Sequence, residues 1–162
     1  MDSEKSSTGY VGLKNLGCIC YMNSLFQQLF MISSLRNDIL AVKDESADKD
    51  ESMIYQLQLL FGGLSKSEKQ CVSPKGFCLA FKDWEGNPTN VLEQMDVEEF
   101  FNMLMDRIET AIKGSPNQDT IQNHFGGKFA SEMICKGCPH KYERSEPFLS
   151  LSISVKNQKS IK

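Results

Sequence analysis

Gly12-Leu13-Lys14-Asn15-Leu16-Gly17-Cys18-Ile19-Cys20-Tyr21-Met22-Asn23-Ser24 holds the densest chemistry in the chain. From Cys20 onward, Leu25, Phe26, Leu29 and Phe30 fall at helical spacing with polar Asn23, Ser24, Gln27 and Gln28 between them. That period predicts an amphipathic helix from near Cys20 to near Ile32. A thiol at the head of a helix meets the positive end of the backbone dipole, which favours the thiolate, the nucleophilic form of sulfur. Asn15 lies five residues upstream in a loop flanked by Gly12 and Gly17, which permit tight backbone. A side-chain amide so placed can reach the oxyanion formed when a thiolate attacks a carbonyl. The plainer reading is a buried structural cysteine at the start of an amphipathic helix, and spacing alone leaves both open.

Outward from this stretch, Ser33-Ser34 offers a cap for a short helix over 35–42, and the charged run 43–52 reads as a solvated loop. Met53, Ile54, Leu57, Leu60 and Phe61 predict a helix that stops at Gly62-Gly63. Ser73-Pro74 opens another short helix, and Gly86-Asn87-Pro88 marks a turn. A long apolar face through Val97, Phe100, Phe101, Leu104, Met105 and Ile108 predicts a helix over 91–112, ended by Gly114-Ser115-Pro116. Beyond it the character changes to β. Residues 126–134 read as a strand, and Phe148 to Val155 alternates apolar with serine, a half-buried strand pattern. The fold class expected is therefore α+β, in three stretches: a disordered start (1–9), a helical block (10–125) and a β segment (126–162).

The 162 residues carry a net charge of −3, which excludes a basic nucleic-acid footprint. No apolar run reaches the length of a membrane-spanning helix, and the polar, acidic start is not a secretory signal. The expected location is cytoplasmic, with nuclear residence also compatible. In a reducing compartment the six cysteines read as packing, metal ligands or a nucleophile rather than a disulfide framework. Cys135-Lys-Gly-Cys138 is a C-x-x-C knuckle that supplies two of the four ligands zinc needs; a redox pair is the rival, but strand-like residues follow where a helix would be required. Cys71 and Cys78 have the wrong spacing for a second pair, and His140 reads as an exposed loop residue. Glu93-Gln94-Met95-Asp96-Val97-Glu98-Glu99-Phe100-Phe101 reads as helix capping, with Asp96 bonding open backbone donors.

The segment Gly-Leu-Lys-Asn-x-Gly-x-x-Cys-Tyr-Met-Asn-Ser closely resembles the cysteine box of ubiquitin-specific proteases. Residues 9–40 resemble the fat-facets class in particular, through Tyr21-Met22-Asn23-Ser24, Gln27-Gln28-Leu29 and Ser34-Leu35-Arg36-Asn37. The Gln94–Phe100 segment resembles the family's second box, Gln-x-Asp-Ala-x-Glu-Phe. Cys18-Ile19 departs from the pattern, which usually has Asn-Thr or Ala-Thr before the nucleophile.

The resemblance implies a papain-like α+β fold, with a helical thumb followed by the start of β fingers. It implies Cys20 as nucleophile, Asn15 as oxyanion-hole donor, and Gln94 and Asp96 as supporting residues that order the cleft. It also implies a structural zinc, of which Cys135 and Cys138 are half the site, and ubiquitin and ubiquitinated proteins as partners. The implied activity is thiol-dependent hydrolysis at the ubiquitin C-terminus. The family's histidine box lies far downstream, and only His124 and His140 occur here. The chain is therefore expected to cover the first half of the catalytic domain, to lack the catalytic His and Asp/Asn, and to be inactive alone. The alternatives are a non-catalytic ubiquitin-binding module and a zinc-dependent structural protein.

Overall fold

A computed structural model of the chain describes residue 4 and residues 7–156. Of the stretch 1–9 expected to be disordered, residues 1–3, 5 and 6 lie outside the described residues; Glu4 forms an isolated bridge with Lys69. The chain divides into two units, Met1–Thr120 and Ile121–Lys162. Helix and strand are both present, as an α+β class requires.

In the first unit, a parallel pair of two-residue strands, β1 (Gly12–Leu13) and β2 (Cys71–Val72), accompanies five helices. These are α1 (Cys20–Met31), α2 (Ser33–Ala41), α3 (Met53–Lys66), α4 (Lys75–Ala80) and α5 (Val97–Ile112). The apolar face of α1 buries Met22, Phe26, Leu29 and Phe30, spaced as successive turns of a helix demand. α5 buries Phe100, Leu104, Ile108 and Ile112 and meets α1 through Phe100. The core is aromatic at its centre. Phe100 stands edge-on to Tyr21, Phe26 and Phe81 at centroid distances of 5.4, 5.9 and 5.3 Å, and Phe26 meets Phe77 at 4.8 Å. Edge-to-face pairs each add about 0.5–1.5 kcal/mol beyond the area they bury.

The structure moves three boundaries from their expected places. The helix expected to stop at Gly62-Gly63 continues to Lys66, because Leu64 is buried and carries the apolar face one turn further. A Cβ at Gly63 would sit 3.2 Å from a Val72 methyl, so this glycine lets β2 close on the helix. The long helix begins at Val97 rather than Val91, at the point where Asp96 caps it. Ser33-Ser34 are the first residues of α2 and do not cap it; Ile32 holds the cap position without a side-chain bond.

The second unit is an antiparallel hairpin of β3 (Gly127–Ile134) and β4 (Lys141–Phe148), paired from Gly127↔Phe148 to Ile134↔Lys141. The short α6 (Thr120–Phe125) precedes it and carries His124 in its last turn. The strand expected over 148–155 is corrected. The ladder takes the charged segment Lys141–Phe148 instead, and residues 149–155 are not in a strand. The cause is the turn at 135–140, closed by the Cys135 N–H donating to the His140 carbonyl at 3.1 Å. A turn fixes hairpin register irrespective of which segment alternates better. Phe129 and Phe148 stack at 4.2 Å on one side of the ribbon.

Candidate active site

Cys20 is the first residue of α1 and is exposed. Ile19 holds the N-cap position with φ −97 and ψ 24, makes no capping bond, and is wholly buried. A Ser or Thr at an N-cap usually takes one of the first-turn N–H groups with its side-chain oxygen. Here an aliphatic side chain anchors the turn in the core, and no side chain caps the donors around the Cys20 sulfur.

The loop before Cys20 is held at several points. Its strand end is paired to β2 by the Gly12 N–H donating to the Gln70 carbonyl and the Lys14 N–H to the Val72 carbonyl, both at 2.9 Å. From α1, Asn23 Nδ2 donates to the Lys14 carbonyl at 3.3 Å and Gln27 Nε2 to the Val11 carbonyl at 3.1 Å. These two residues stand four apart on one helix face and pin the loop along the helix. Asn23 Oδ1 is buried with no partner.

Asn15 is exposed, and its Oδ1 accepts the Gly17 N–H at 3.2 Å. That bond occupies the acceptor end of the amide and leaves Nδ2, the donor end, with no partner among the described residues. Gly17 has φ +153, and a Cβ there would lie 2.4 Å from the Val91 carbonyl oxygen. The same carbonyl accepts the Cys18 N–H at 2.7 Å. Residues 91–96, expected to be helix, thus serve as a brace for the loop before Cys20.

Asp96 fixes the far end of that brace. Its Oδ1 accepts the N–H groups of Glu98 at 2.8 Å and Glu99 at 3.3 Å. Gln94 and Asp96 line a cleft of about 520 Å³ together with Tyr21, Thr89, Phe100 and Met103. The structure so brings Gln94 and Asp96 beside Tyr21, the neighbour of Cys20 in α1. Burial raises the Tyr21 phenol above its ordinary value, with smaller contributions from charge on Cys78 and Cys20. A larger cavity of about 850 Å³, lined by Val42, Ile54, Phe81 and Arg107, contains none of the candidate site residues.

Cys135 and Cys138 occupy the hairpin turn and are both exposed. The backbone N–H of Gly137, the Cys138 thiol and the Cys138 N–H all hydrogen-bond the Cys135 sulfur and lower its pKa below the ordinary thiol value. Such donors favour a thiolate, the form that binds zinc, so the pair fits two positions of a zinc site. Among the described residues no group of three or more His, Cys, Asp or Glu side chains forms a metal cluster. His124 is part-buried in α6 and His140 is exposed in the turn.

Sequence reasoning missed Asn23, Gln27 and Val91. Asn23 and Gln27 leave a signal, two polar side chains at i and i+4 beside an apolar stripe. The Val91 carbonyl leaves none.

The family model described as ubiquitin carboxyl-terminal hydrolase matches residues 11–161. Ubiquitin carboxyl-terminal hydrolase 24 of Mus musculus is 41% identical over 97% of this chain. Ubiquitin carboxyl-terminal hydrolase 9X of Mus musculus is 34% identical over 94% of it. Probable ubiquitin carboxyl-terminal hydrolase FAF of Drosophila melanogaster is 28% identical over 97%. The chain spans 6%, 8% and 7% of those relatives respectively. With the match running through the loop before Cys20, its brace and the hairpin alike, this chain belongs to the ubiquitin carboxyl-terminal hydrolase family.

Proposed function

We propose that this chain is the nucleophile-bearing part of a thiol-dependent deubiquitinase acting on ubiquitin and ubiquitinated proteins. The observation that carries the reading is the exposed Cys20 at the head of α1, with no side-chain cap on its first turn, beyond a loop that turns the donor end of Asn15 free. The Cys20 sulfur attacks the carbonyl carbon of the C-terminal glycine of ubiquitin. The tetrahedral oxyanion is held by Asn15 Nδ2 and the Cys20 N–H, the lysine amine leaves, and water hydrolyses the thioester. Gln94 and Asp96 order the cleft and move no proton. The first unit serves as the thumb of a papain-like domain and the hairpin as the start of its fingers. Cys135 and Cys138 supply two ligands to a structural zinc that would stiffen the hairpin turn.

Only His124 and His140 occur, and neither lies in a segment that resembles the family's histidine box. A thiol protease needs a base to take the thiol proton. The 162 residues alone therefore do not turn over substrate. The test is ubiquitin bearing a C-terminal vinyl electrophile, together with a ubiquitin fluorogenic substrate. The expected outcome is an adduct on Cys20, absent in Cys20→Ser. An adduct that survives Cys20→Ser overturns the nucleophile assignment, and sustained release of fluorophore overturns the missing base. Ubiquitin binding without any adduct, unchanged by Cys20→Ser, favours the non-catalytic ubiquitin-binding module.

A further inference from the structure

Cys18 has no part in the mechanism above, yet it stands two residues from Cys20 and both thiols are exposed and free. The residue between them sets their geometry. Ile19 has φ −97 and ψ 24, a compact turn conformation. A residue near the helical region holds the α-carbons on either side about 5.5 Å apart, against about 7 Å in an extended chain. A disulfide spans roughly 4.4–6.8 Å between α-carbons, so the α-carbon spacing at the Ile19 turn falls inside the range a disulfide accepts. Ile19 is 0% exposed, which commits its side chain to the core and leaves the flanking thiols on the solvent side. On the Cys18 side, one backbone bond to the Val91 carbonyl restrains the peptide.

We propose that this pair is a site of reversible oxidation, in which Cys18 resolves an oxidised Cys20. A peroxide transfers one oxygen to the Cys20 thiolate, giving the sulfenic acid and the alcohol or water derived from the peroxide. The Cys18 sulfur then attacks the Cys20 sulfur, the S–O bond breaks, and the hydroxyl leaves as water with the Cys18 proton. The net change is two thiols to one disulfide, with both electrons accepted by the peroxide. The ring so closed is small and exposed, the kind of disulfide that a dithiol reductant reopens readily. The alternative fate of an unresolved sulfenic acid is sulfinic acid, which thiols do not reverse. Cys18 thereby stores Cys20 in a recoverable form. The inference rests on the exposure and spacing of the two sulfurs and holds whatever Cys20 acts upon.

The experiment treats the 162-residue chain with hydrogen peroxide, blocks remaining thiols with an alkylating agent, and digests with trypsin. Both cysteines fall in the peptide Asn15–Arg36, which contains no other cysteine. The expected product is that peptide unalkylated and lighter by two hydrogen atoms, restored by dithiothreitol. In Cys18→Ser and Cys18→Ala the same treatment gives sulfinic acid at Cys20, with roughly tenfold less thiol recovered by reductant. Equal over-oxidation of Cys20 in wild type and both variants overturns the proposal, as does a Cys20 disulfide to any cysteine outside the peptide. Either failure leaves Cys20 labelling by the ubiquitin electrophile untouched, so the two readings fall separately.

Discussion

The two units bury their apolar side chains to very different degrees. In Met1–Thr120, Phe26, Phe61, Phe77 and Phe100 are all essentially inaccessible, and each functional loop is tied to a helix or a neighbouring loop. In the hairpin of the second unit, Met133 is 71% and Ile134 68% exposed, and the backbone ladder is the principal organised interaction. An isolated two-stranded hairpin is marginal in water, whereas a helical cluster with an aromatic centre supports itself. The lesson is that exact placement of the Cys20 loop comes from the unit with side-chain packing, while the hairpin contributes a turn with two thiols.

The sharpest contrast lies between one thiol of each unit. Burial pushes Cys78 in the first unit up to about 11, while backbone donors lower Cys135 in the hairpin turn. The thiolate is what alkylates, so at pH 7 Cys135 should react more than about a hundredfold faster than Cys78. Across a pH series Cys135 should reach its plateau first, and Cys78 should respond only in strongly alkaline buffer. Peptide mapping after timed alkylation reads both, and equal rates would erase the contrast.

Truncating the packed centre comes next. Phe100→Ala should cost about 3–5 kcal/mol in the first unit, read from the denaturation midpoint of helical circular dichroism. Its counterpart in the hairpin, Met133→Ser, should change stability by less than about 0.5 kcal/mol, because that side chain is largely in water already. Gly17→Ala forces a methyl toward the Val91 carbonyl at a positive φ. It should cost about 1–3 kcal/mol and slow adduct formation at Cys20 more than it shifts the unfolding midpoint. Asp96→Ala removes the acceptor for two N–H groups of α5 and should cost about 1 kcal/mol, with hydrogen exchange rising at Glu98 and Glu99.

What the sequence disclosed divides along the same line as these effects. The start of α1 at Cys20 was legible because helical period and loop glycines meet there. The cap at Asp96 was legible because an acidic residue before an apolar face has one common use. The true start of α5 was not, because residues 91–96 are committed to a contact with Cys18, and no local propensity encodes a contact some seventy residues away. The continuation of α3 through two glycines was hidden for a related reason: the close approach of Val72 makes glycine useful where propensity alone counts it as a stop. In the hairpin, strict alternation over 148–155 pointed to the wrong segment, since register follows from the turn at 135–140. Asn15, Cys20, Gln94 and Asp96 came forward as candidates from motif and resemblance, whereas the pins from Asn23 and Gln27 emerge only once the loop lies on the helix.

Ile19 ties the temperature response of the loop to its composition. Its hold on the turn is hydrocarbon transfer out of water, which is largely entropic near 25 °C and weakens on cooling. A hydroxyl cap in its place would grip by a bond that persists in the cold. The turn before Cys20 is accordingly moored by solvent, and chilling slackens that mooring.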